Sequence, residues 1–256
     1  MLELKEITKK YSVIPAVNKV SFVIKPGEVL GYLGSNGAGK TTTVKMLAGL
    51  VEPTEGNIYF HDKNIKHNLY EYKKKIGYVP EQSEIYPHLS GYEYLLMVGR
   101  LRQLPEKILK EKIKQFLELF KLSDDMYSSI SSYSKGMKQK VLISAALLHN
   151  PEILLLDEPI SGLDVTTSLI LKDLIVRLAK ENKIILYSSH ILEIVEKICS
   201  KVIVLHKGCI VGNDSVENLR NLMKVPSLQE VFNQLVEQED TEKIARSIAE
   251  VMKHNS

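Results

Sequence analysis

The sequence contains no long apolar run. Its unbroken apolar stretches, such as Ile153 to Leu156, are far shorter than the roughly 18 residues that a membrane-spanning helix requires. Residues 1–5 alternate apolar and charged side chains and lack the basic-then-apolar order of a signal peptide. We therefore expect a cytoplasmic chain that does not cross a bilayer by itself.

Cysteine is scarce as well. Cys199 and Cys209 are the only two, and neither stands in a CxxC or Cys/His spacing that is typical of metal sites. We expect both to be reduced and structural. At 256 residues the chain is long enough to bury a hydrophobic core without help from disulfides or metals.

Neither sign of charge is in marked excess. The 34 basic and 31 acidic residues leave a formal charge of +3, which is too small to predict nucleic-acid binding. The basic run Lys73–Lys75 is more typical of a solvated loop or helix face. With 44% hydrophobic and 25% charged residues, the composition is that of an ordinary globular protein and excludes disordered and fibrous classes.

The periodicity of apolar residues divides the chain. Short β-type runs separated by Gly and Pro fill residues 2–60, and one helix over 40–47 interrupts them. Helical spacing follows, and then apolar runs alternate with helical stretches, as in a parallel βαβ sheet. We predict an α/β domain over 1–212, with a helical subdomain inserted at about 86–150, and a C-terminal helical accessory segment over 213–256.

A phosphate-binding motif stands between an apolar strand and the first helix. Residues 34–41, here called the P-loop, read GSNGAGKT and fit GxxxxGK[ST]. Glycines let the backbone wrap closely around a polyphosphate, and the helix N-terminus adds N–H groups and a positive dipole end. A chance Gly-rich turn is the alternative, which the strand-loop-helix context disfavours. The predicted nucleotide contacts are Gly34, Ser35, Asn36, Gly37, Ala38, Gly39, Lys40, Thr41 and Thr42.

Individual roles follow from the chemistry of phosphoryl transfer. Lys40 is expected to reach the β- and γ-phosphates of ATP, and Thr41 to place its hydroxyl on Mg²⁺. Asp157 and Glu158 end an apolar strand at the sheet edge where α/β folds bind ligands. Acidic residues often merely end strands, but beside a P-loop Asp157 is the expected partner of Mg²⁺ and Glu158 the residue that polarises the attacking water.

Further motifs resemble those of the ATP-binding cassette (ABC) ATPases. Residues 133–140, here called the signature stretch, read YSKGMKQK and are similar to the family's signature. Gln82 after a strand, the loop 161–164 (SGLD) and His190 follow the family order. Taken singly, Gln82 suits any loop amide and His190 any capping histidine. Together, over about residues 2–212, the motifs favour the family.

The resemblance implies further site residues. It makes Lys40, Gln82, Glu158 and His190 catalytic, with Thr41, Gln82 and Asp157 as Mg²⁺ ligands. It adds Tyr11, Ser134, Gly136 and Asp164 as nucleotide contacts. Tyr11 matches the position whose ring stacks on adenine, with core packing as the alternative, and Ser134 also suits an ordinary helix N-cap. The signature stretch departs from the commoner LSGGQ at Tyr133, Lys135 and Met137, which leaves contacts made through Lys135 open.

The implied fold is the P-loop NTPase ABC-ATPase fold, with an N-terminal antiparallel β part, a mostly parallel core sheet flanked by helices, and an inserted α-helical subdomain. The implied function is ATP hydrolysis for a bacterial membrane transporter. The implied partners are a separate multi-spanning permease and a second ATPase subunit, in a head-to-tail homodimer that binds ATP and Mg²⁺ between its subunits. Such a subunit lies on the inner face of the membrane through its permease, and we expect no nucleic-acid partner.

The direction of transport is suggested by the tail. Residues 227–232, SLQEVF, resemble a motif in the ATPase subunits of drug, antibiotic and sodium exporters, although they also suit an amphipathic helix. Two other functions stay open. One is a cytosolic ABC ATPase in DNA repair or translation, which a coiled-coil insertion or second cassette would favour. The other is a non-catalytic ATP-binding regulator, which Glu158 and His190 disfavour.

Overall fold

The computed structural model describes residues 1–82 and 84–236. The strands are β1 Leu2–Lys10, β2 Pro15–Ile24, β3 Val29–Gly34, β4 Glu55–Phe60, β5 Lys63–Asn64, β6 Ile76–Val79, β7 Ile153–Asp157, β8 Ile184–Ser189, β9 Lys201–His206 and β10 Cys209–Asp214. The helices are α1 Lys40–Leu47, α2 Leu69–Lys74, α3 Gly91–Leu101, α4 Glu106–Leu119, α5 Lys135–Leu147, α6 Val165–Lys180, α7 Leu192–Ile198, α8 Val216–Met223 and α9 Leu228–Leu235.

The larger sheet has the strand order β10-β9-β3-β8-β7-β6 and is parallel except for β10, which pairs antiparallel with β9. All residues of β7 and β8 are buried. Continuous apolar strands of this kind form when both faces of a parallel sheet are covered. Because β3, β6, β7 and β8 run in the same direction, the residues that follow them meet at one edge of the sheet.

A smaller antiparallel sheet, of order β2-β1-β4-β5, covers one side of the molecule. Its inward residues, among them Leu4, Ile7 and Val20, belong to one core cluster with Leu30 and Tyr32 of β3. Alternation along β1 and β2 places these side chains inside and the charged ones outside. The predicted antiparallel part is therefore confirmed.

The helical part contains α3, α4 and α5, which contact one another. Ser90 caps α3 in a capping box with Glu93. Helix α4 buries Leu109, Ile113 and Leu117, spaced four residues apart on one face. This amphipathic stripe is why the helical period is visible in the sequence, and the predicted α/β fold with an inserted helical part is confirmed.

One strand differs from the sequence-based description, and the predicted accessory segment is only partly described. Strand β10 was not predicted, because it is an edge strand whose residues alternate between half-buried and exposed and include Gly212. Of the predicted accessory segment, α8 and α9 are described, and Leu228 and Val231 are buried. The rest, residues 237–256, lies outside the described residues.

The structure bears on two expectations, one about the two cysteines and one about the lack of a long apolar run. Cys199 is buried, Cys209 is half-buried, and both are free thiols. In the part of the chain that the structure describes, none of the helices combines the length and the apolar character that crossing a membrane would require.

Candidate functional site

The P-loop connects β3 to α1 at the carboxyl edge of the larger sheet. Gly39 adopts φ +105°, and a Cβ atom placed there would lie 2.3 Å from the carbonyl oxygen of Ala16. Only glycine fits this close approach, because a side chain would collide with the backbone at the start of β2. The loop is thus held between β2 and the end of β3, with α1 starting at Lys40.

The ammonium group of Lys40 turns back into the loop. Its Nζ donates hydrogen bonds to the carbonyl oxygens of Gly34 at 2.7 Å and Ser35 at 3.1 Å. Burial lowers the pKa of Lys40, whereas the carboxylates of Glu158, Asp157 and Glu81 oppose that shift. A cation is therefore held where the backbone of the loop curves, the position from which it can reach a phosphate.

A polar cavity opens above the P-loop. It brings together residues of the loop with residues of three other segments: Ala16, Asn36, Gly37, Gly39, Lys40, Thr41, Thr42, Glu81 and Glu158. Most of the predicted P-loop contacts line it. Ala16 and Glu81 were missed by sequence reasoning. Nothing in the sequence marks Ala16, because it contributes through its backbone next to Gly39.

Asp157 is fully buried, and neither of its carboxylate oxygens has a hydrogen-bond partner within the usual distance. Burial raises the pKa of Asp157, and the Thr41 and Ser188 hydroxyls partly oppose the increase. A buried carboxylate that makes no close hydrogen bond costs free energy, so a further cation beside Lys40 would stabilise it. This is the environment that a metal ligand would have before the metal binds.

Glu158 directly follows β7 and is 6% exposed. Its backbone is left-handed, with φ +49°, and its N–H donates to the carbonyl of Ser188 on β8. The carboxylate Oε1 lies 2.8 Å from Nδ1 of His190, which follows β8 and is exposed. A non-glycine residue in this conformation stores strain, and such strain is concentrated at functional sites. Glu158 and His190 thus form a pair at the edge of the cavity.

Of the two polar residues after β6, Glu81 lines the cavity and the predicted ligand Gln82 does not. Glu81 faces the P-loop, with Oε2 accepting a hydrogen bond from the Thr41 hydroxyl at 3.3 Å. Gln82 is exposed and does not line the cavity. The signal that points to Glu81 is the register of β6 and β7, which pairs Val79 with Leu156 and so brings the residues after β6 beside Asp157.

Ser134 and Gly136 lie outside this cavity. Ser134 is the N-cap of α5, and its hydroxyl accepts a hydrogen bond from the N–H of Met137 at 3.2 Å. Gly136 is in close contact with the carbonyl of Gly162. The first turn of α5 therefore carries an exposed serine at a helix N-terminus, outside the cavity that the P-loop lines.

Asp164 and Tyr11 are also placed outside the cavity. Asp164 caps α6 and contacts Lys140 at 3.2 Å. Hydrogen bonds from Thr167 hold the pKa of Asp164 well below its ordinary value. Tyr11, which directly follows β1, is 63% exposed, and Lys9 Nζ is 5.2 Å from its ring centroid. Its ring is accessible to a planar group.

Comparisons with known proteins identify the family of the chain. A family model described as ABC transporter matches residues 17–161. The chain is 37% identical over 237 residues to the ABC transporter ATP-binding protein NatA of Bacillus subtilis (strain 168), covering 91% of this chain and 96% of NatA. It is 35% identical over 208 residues to the linearmycin resistance ATP-binding protein LnrL of the same organism, covering 81% of this chain and 67% of LnrL.

A solved structure is similar as well. The ATP-binding cassette MJ0796, as a dimer in a post-hydrolysis state bound to ADP and Pi, superposes with a TM-score of 0.78 at 25% identity. The match covers 84% of this chain and 98% of that chain.

Proposed function

The chain belongs to the ABC transporter family and is its ATP-binding, ATP-hydrolysing subunit, and we propose that it powers an exporter through a separate membrane-spanning permease. The observation that carries the site assignment is the convergence of Lys40, Thr41 and Glu158 on one cavity beside the unpaired carboxylate of Asp157. These are the groups that phosphoryl transfer to water needs: a cation for the phosphates, ligands for a metal and a base for the water.

We propose that Mg²⁺ is held here by Asp157 and Thr41. The donor set fits, because Mg²⁺ prefers oxygen ligands and takes its remaining ones from water and phosphate. The two unpartnered oxygens of Asp157 support this assignment. Glu81, which contacts Thr41, is a better candidate than Gln82 for a further ligand. Bound Mg²⁺ would neutralise charge that develops on the β- and γ-phosphates.

The residues of this chain divide the remaining work. The P-loop N–H groups and Lys40 would bind and orient the phosphates, and a ring at Tyr11 would stack on the base. The Glu158 carboxylate would accept a proton from the attacking water. The imidazole of His190, at 2.8 Å from Glu158 Oε1, would hold that carboxylate in position. Because Glu158 is largely buried, its carboxylate interacts strongly with the groups around it.

We propose that the active form is a head-to-tail homodimer. Ser134 and the backbone near Gly136 lie at the start of a helix, outside the cavity of their own chain. A helix N-terminus with a serine hydroxyl is suited to bind an anion, and here the anion would be the γ-phosphate on a second subunit. The dimeric ABC cassette bound to ADP and Pi supports this arrangement. Hydrolysis would then weaken the dimer by removing a phosphate that both subunits bind.

Export is the direction that the relatives favour. LnrL is named for linearmycin resistance, and resistance is served by removal of a compound from the cell. The permease would place this subunit on the inner face of the membrane. We also propose that residues 1–212 form the ATPase domain and 213–256 its accessory segment, since α9 contacts α7 and Leu235 packs close to Gly212.

The Glu158→Gln variant tests the proposed chemistry. We expect ATP hydrolysis to fall by about 1000-fold, because a general base contributes two to four orders of magnitude, while ATP-dependent dimerisation persists. Phosphate release and size-exclusion chromatography with and without ATP measure the two effects. Glu181→Gln, in the exposed turn after α6, is the matched control. Unchanged phosphate release in the Glu158 variant would contradict the assignment.

Affinity purification tests the proposed partner. The tagged chain should be recovered from mildly solubilised membranes together with a multi-spanning protein in fixed stoichiometry. Recovery only from the cytosolic fraction, with ribosomes or nucleic acid, would favour the alternative of a non-transport ABC ATPase.

A further inference from the structure

The signature stretch carries a lysine, Lys135, where the commoner pattern has glycine. Its Nζ donates a hydrogen bond to the hydroxyl of Ser161 at 2.8 Å. Ser161 belongs to the loop 159–164, which joins Glu158 to α6. The lysine therefore bridges two segments that are 26 residues apart in the sequence.

The aliphatic part of the lysine makes a second contact with the same loop. A Cβ atom placed on Gly162 would lie 2.9 Å from both Cγ and Cδ of Lys135. Gly162 has φ +81°, so its conformation also favours glycine. The methylene groups thus cover the loop backbone closely, and this contact does not depend on charge.

Neighbouring residues of α5 also contact the loop 159–164. The contacts are Gly136 with the carbonyl of Gly162, Gln139 Nε2 with the carbonyl of Pro159 at 2.9 Å, and Lys140 Nζ with Asp164 Oδ2 at 3.2 Å. The beginning of α5 therefore contacts the loop 159–164 at several points. Lys135 is distinguished among these residues because it directly follows Ser134 in the sequence.

The loop is in turn bonded to Glu158. The backbone N–H of Ser161 donates to the carbonyl of Glu158 at 3.1 Å. Ser161 thus takes part in two hydrogen bonds, with its side chain to Lys135 and with its backbone to Glu158. The left-handed backbone of Glu158 must be held by its surroundings, and this contact is part of what holds it.

We propose that Lys135 is a positioning residue that links the Ser134 end of α5 to the backbone of Glu158. The inference rests on the head-to-tail dimer of the proposed function. When ATP on a second subunit engages Ser134, the link transmits the position of α5 to the loop 159–164 and so to Glu158 of the same chain. Each bound ATP thereby affects hydrolysis at the opposite site.

A double-mutant cycle on ATP hydrolysis tests the link. The variants are Lys135→Ala, Ser161→Ala, the double variant and Lys135→Arg, each measured over a range of ATP concentrations. We expect each single variant to lose about 5-fold in kcat, equivalent to about 1 kcal/mol of transition-state stabilisation, because solvent weakens this exposed hydrogen bond. The double variant should lose no more than the worse single variant, because both remove the same contact.

Two further readouts separate positioning from damage to the fold. The Hill coefficient for ATP should fall towards one in both single variants, and Lys135→Arg should restore part of kcat and of the cooperativity. The affinity of the isolated subunit for ATP should stay within about 2-fold of wild type. Lys114→Ala, an exposed lysine on α4, is the control and should match wild type in all readouts.

Several outcomes would overturn the inference. They are wild-type kinetics in Lys135→Ala, losses that multiply in the double variant, or a loss of kcat accompanied by an equal loss of ATP affinity. Failure of the dimer has a different signature: Glu158→Gln would then remain monomeric with ATP. ATP-dependent dimerisation of Glu158→Gln together with wild-type kinetics in Lys135→Ala would refute the role of Lys135 alone.

Discussion

The P-loop side and the α5 side of the proposed nucleotide site are built in opposite ways. On the P-loop side the charged groups Lys40, Asp157 and Glu158 are all less than 10% exposed, and the two carboxylates oppose the lowering of the Lys40 pKa by burial. On the α5 side Ser134 and Lys135 are exposed. Burial makes electrostatic interactions strong, so the first side is already organised for binding within one chain. In the proposed dimer, the second would gain comparable strength only when another subunit covers it.

This difference predicts that the P-loop side governs ATP binding to the single subunit and that the α5 side governs turnover in the dimer. Variants of the P-loop side should weaken nucleotide binding or change stability in the isolated chain. Variants of the α5 side should leave binding intact and lower hydrolysis.

Removal of the P-loop cation should have the largest effect on ATP binding by the isolated subunit. We expect Lys40→Ala to weaken ATP binding by the isolated subunit by about 100-fold, because a charge-assisted contact with phosphate is lost in a buried setting. Titration with a fluorescent ATP analogue measures this affinity. Lys45→Ala, an exposed lysine on the same helix, should bind as wild type. Equal affinities for the two variants would break the comparison.

Removal of the Ser134 hydroxyl should have an intermediate effect on turnover alone. We expect Ser134→Ala to lower kcat by about 30-fold, less than loss of a buried donor to a reacting anion causes because the hydroxyl is exposed, with ATP affinity of the isolated subunit unchanged. Ser215→Ala removes a similar N-cap from α8 and controls for loss of capping. A drop in affinity as large as the drop in kcat would place Ser134 on the binding side.

The pair Glu81 and Gln82 sharpens the boundary of the P-loop side. Since Glu81 contacts Thr41 and lines the cavity whereas Gln82 does not line it, Glu81→Ala should raise the Mg²⁺ concentration needed for half-maximal ATP binding by about 10-fold. Gln82→Ala should change it by less than about 2-fold. Isothermal titration of ATP at several Mg²⁺ concentrations measures both. The reverse order would support the assignment of Gln82 made from the sequence.

The smallest effect is a gain in stability. Burial raises the pKa of Asp157, so the folded chain binds this proton more tightly than the unfolded chain, and the ionised form costs stability above that pKa. Asp157→Asn should therefore raise the free energy of unfolding at pH 7 by about 1 kcal/mol. The gain should shrink as the pH falls through the raised pKa, because the wild-type carboxyl becomes neutral. Urea unfolding of the wild type and the variant, at pH 7 and at a pH below the raised pKa, measures this gain. Destabilisation by Asn at pH 7 would contradict the prediction.

Local patterns were sufficient for much of the fold and for part of the site. The buried runs of β7 and β8 and the stripe Leu109, Ile113 and Leu117 on α4 carry their periodicity in adjacent residues. The P-loop is likewise contiguous, so its glycines and Lys40 are recognised from neighbouring residues, although the close approach that requires glycine at position 39 involves the distant Ala16. Such features are visible in one dimension because the physical constraint acts locally.

Other features depend on residues that are distant in the sequence. Glu81 and Gln82 are adjacent and both polar, and only the pairing of β6 with β7 decides which of them faces Thr41. The contact between Lys135 and Ser161, and the backbone contribution of Ala16 beside Gly39, have no sequence pattern at all. Each depends on the relative position of two elements, which packing determines.

By itself the sequence determined the α/β class, the P-loop and the acidic strand end at Asp157 and Glu158, because strand burial, loop flexibility and helix initiation are local properties of the chain. Only the tertiary structure decided that the buried oxygens of Asp157 make no close hydrogen bond, that Glu81 lines the cavity, and that α5 is bonded to the loop after Glu158. These depend on which strands pair and which side chains are buried together, and long-range packing alone settles both.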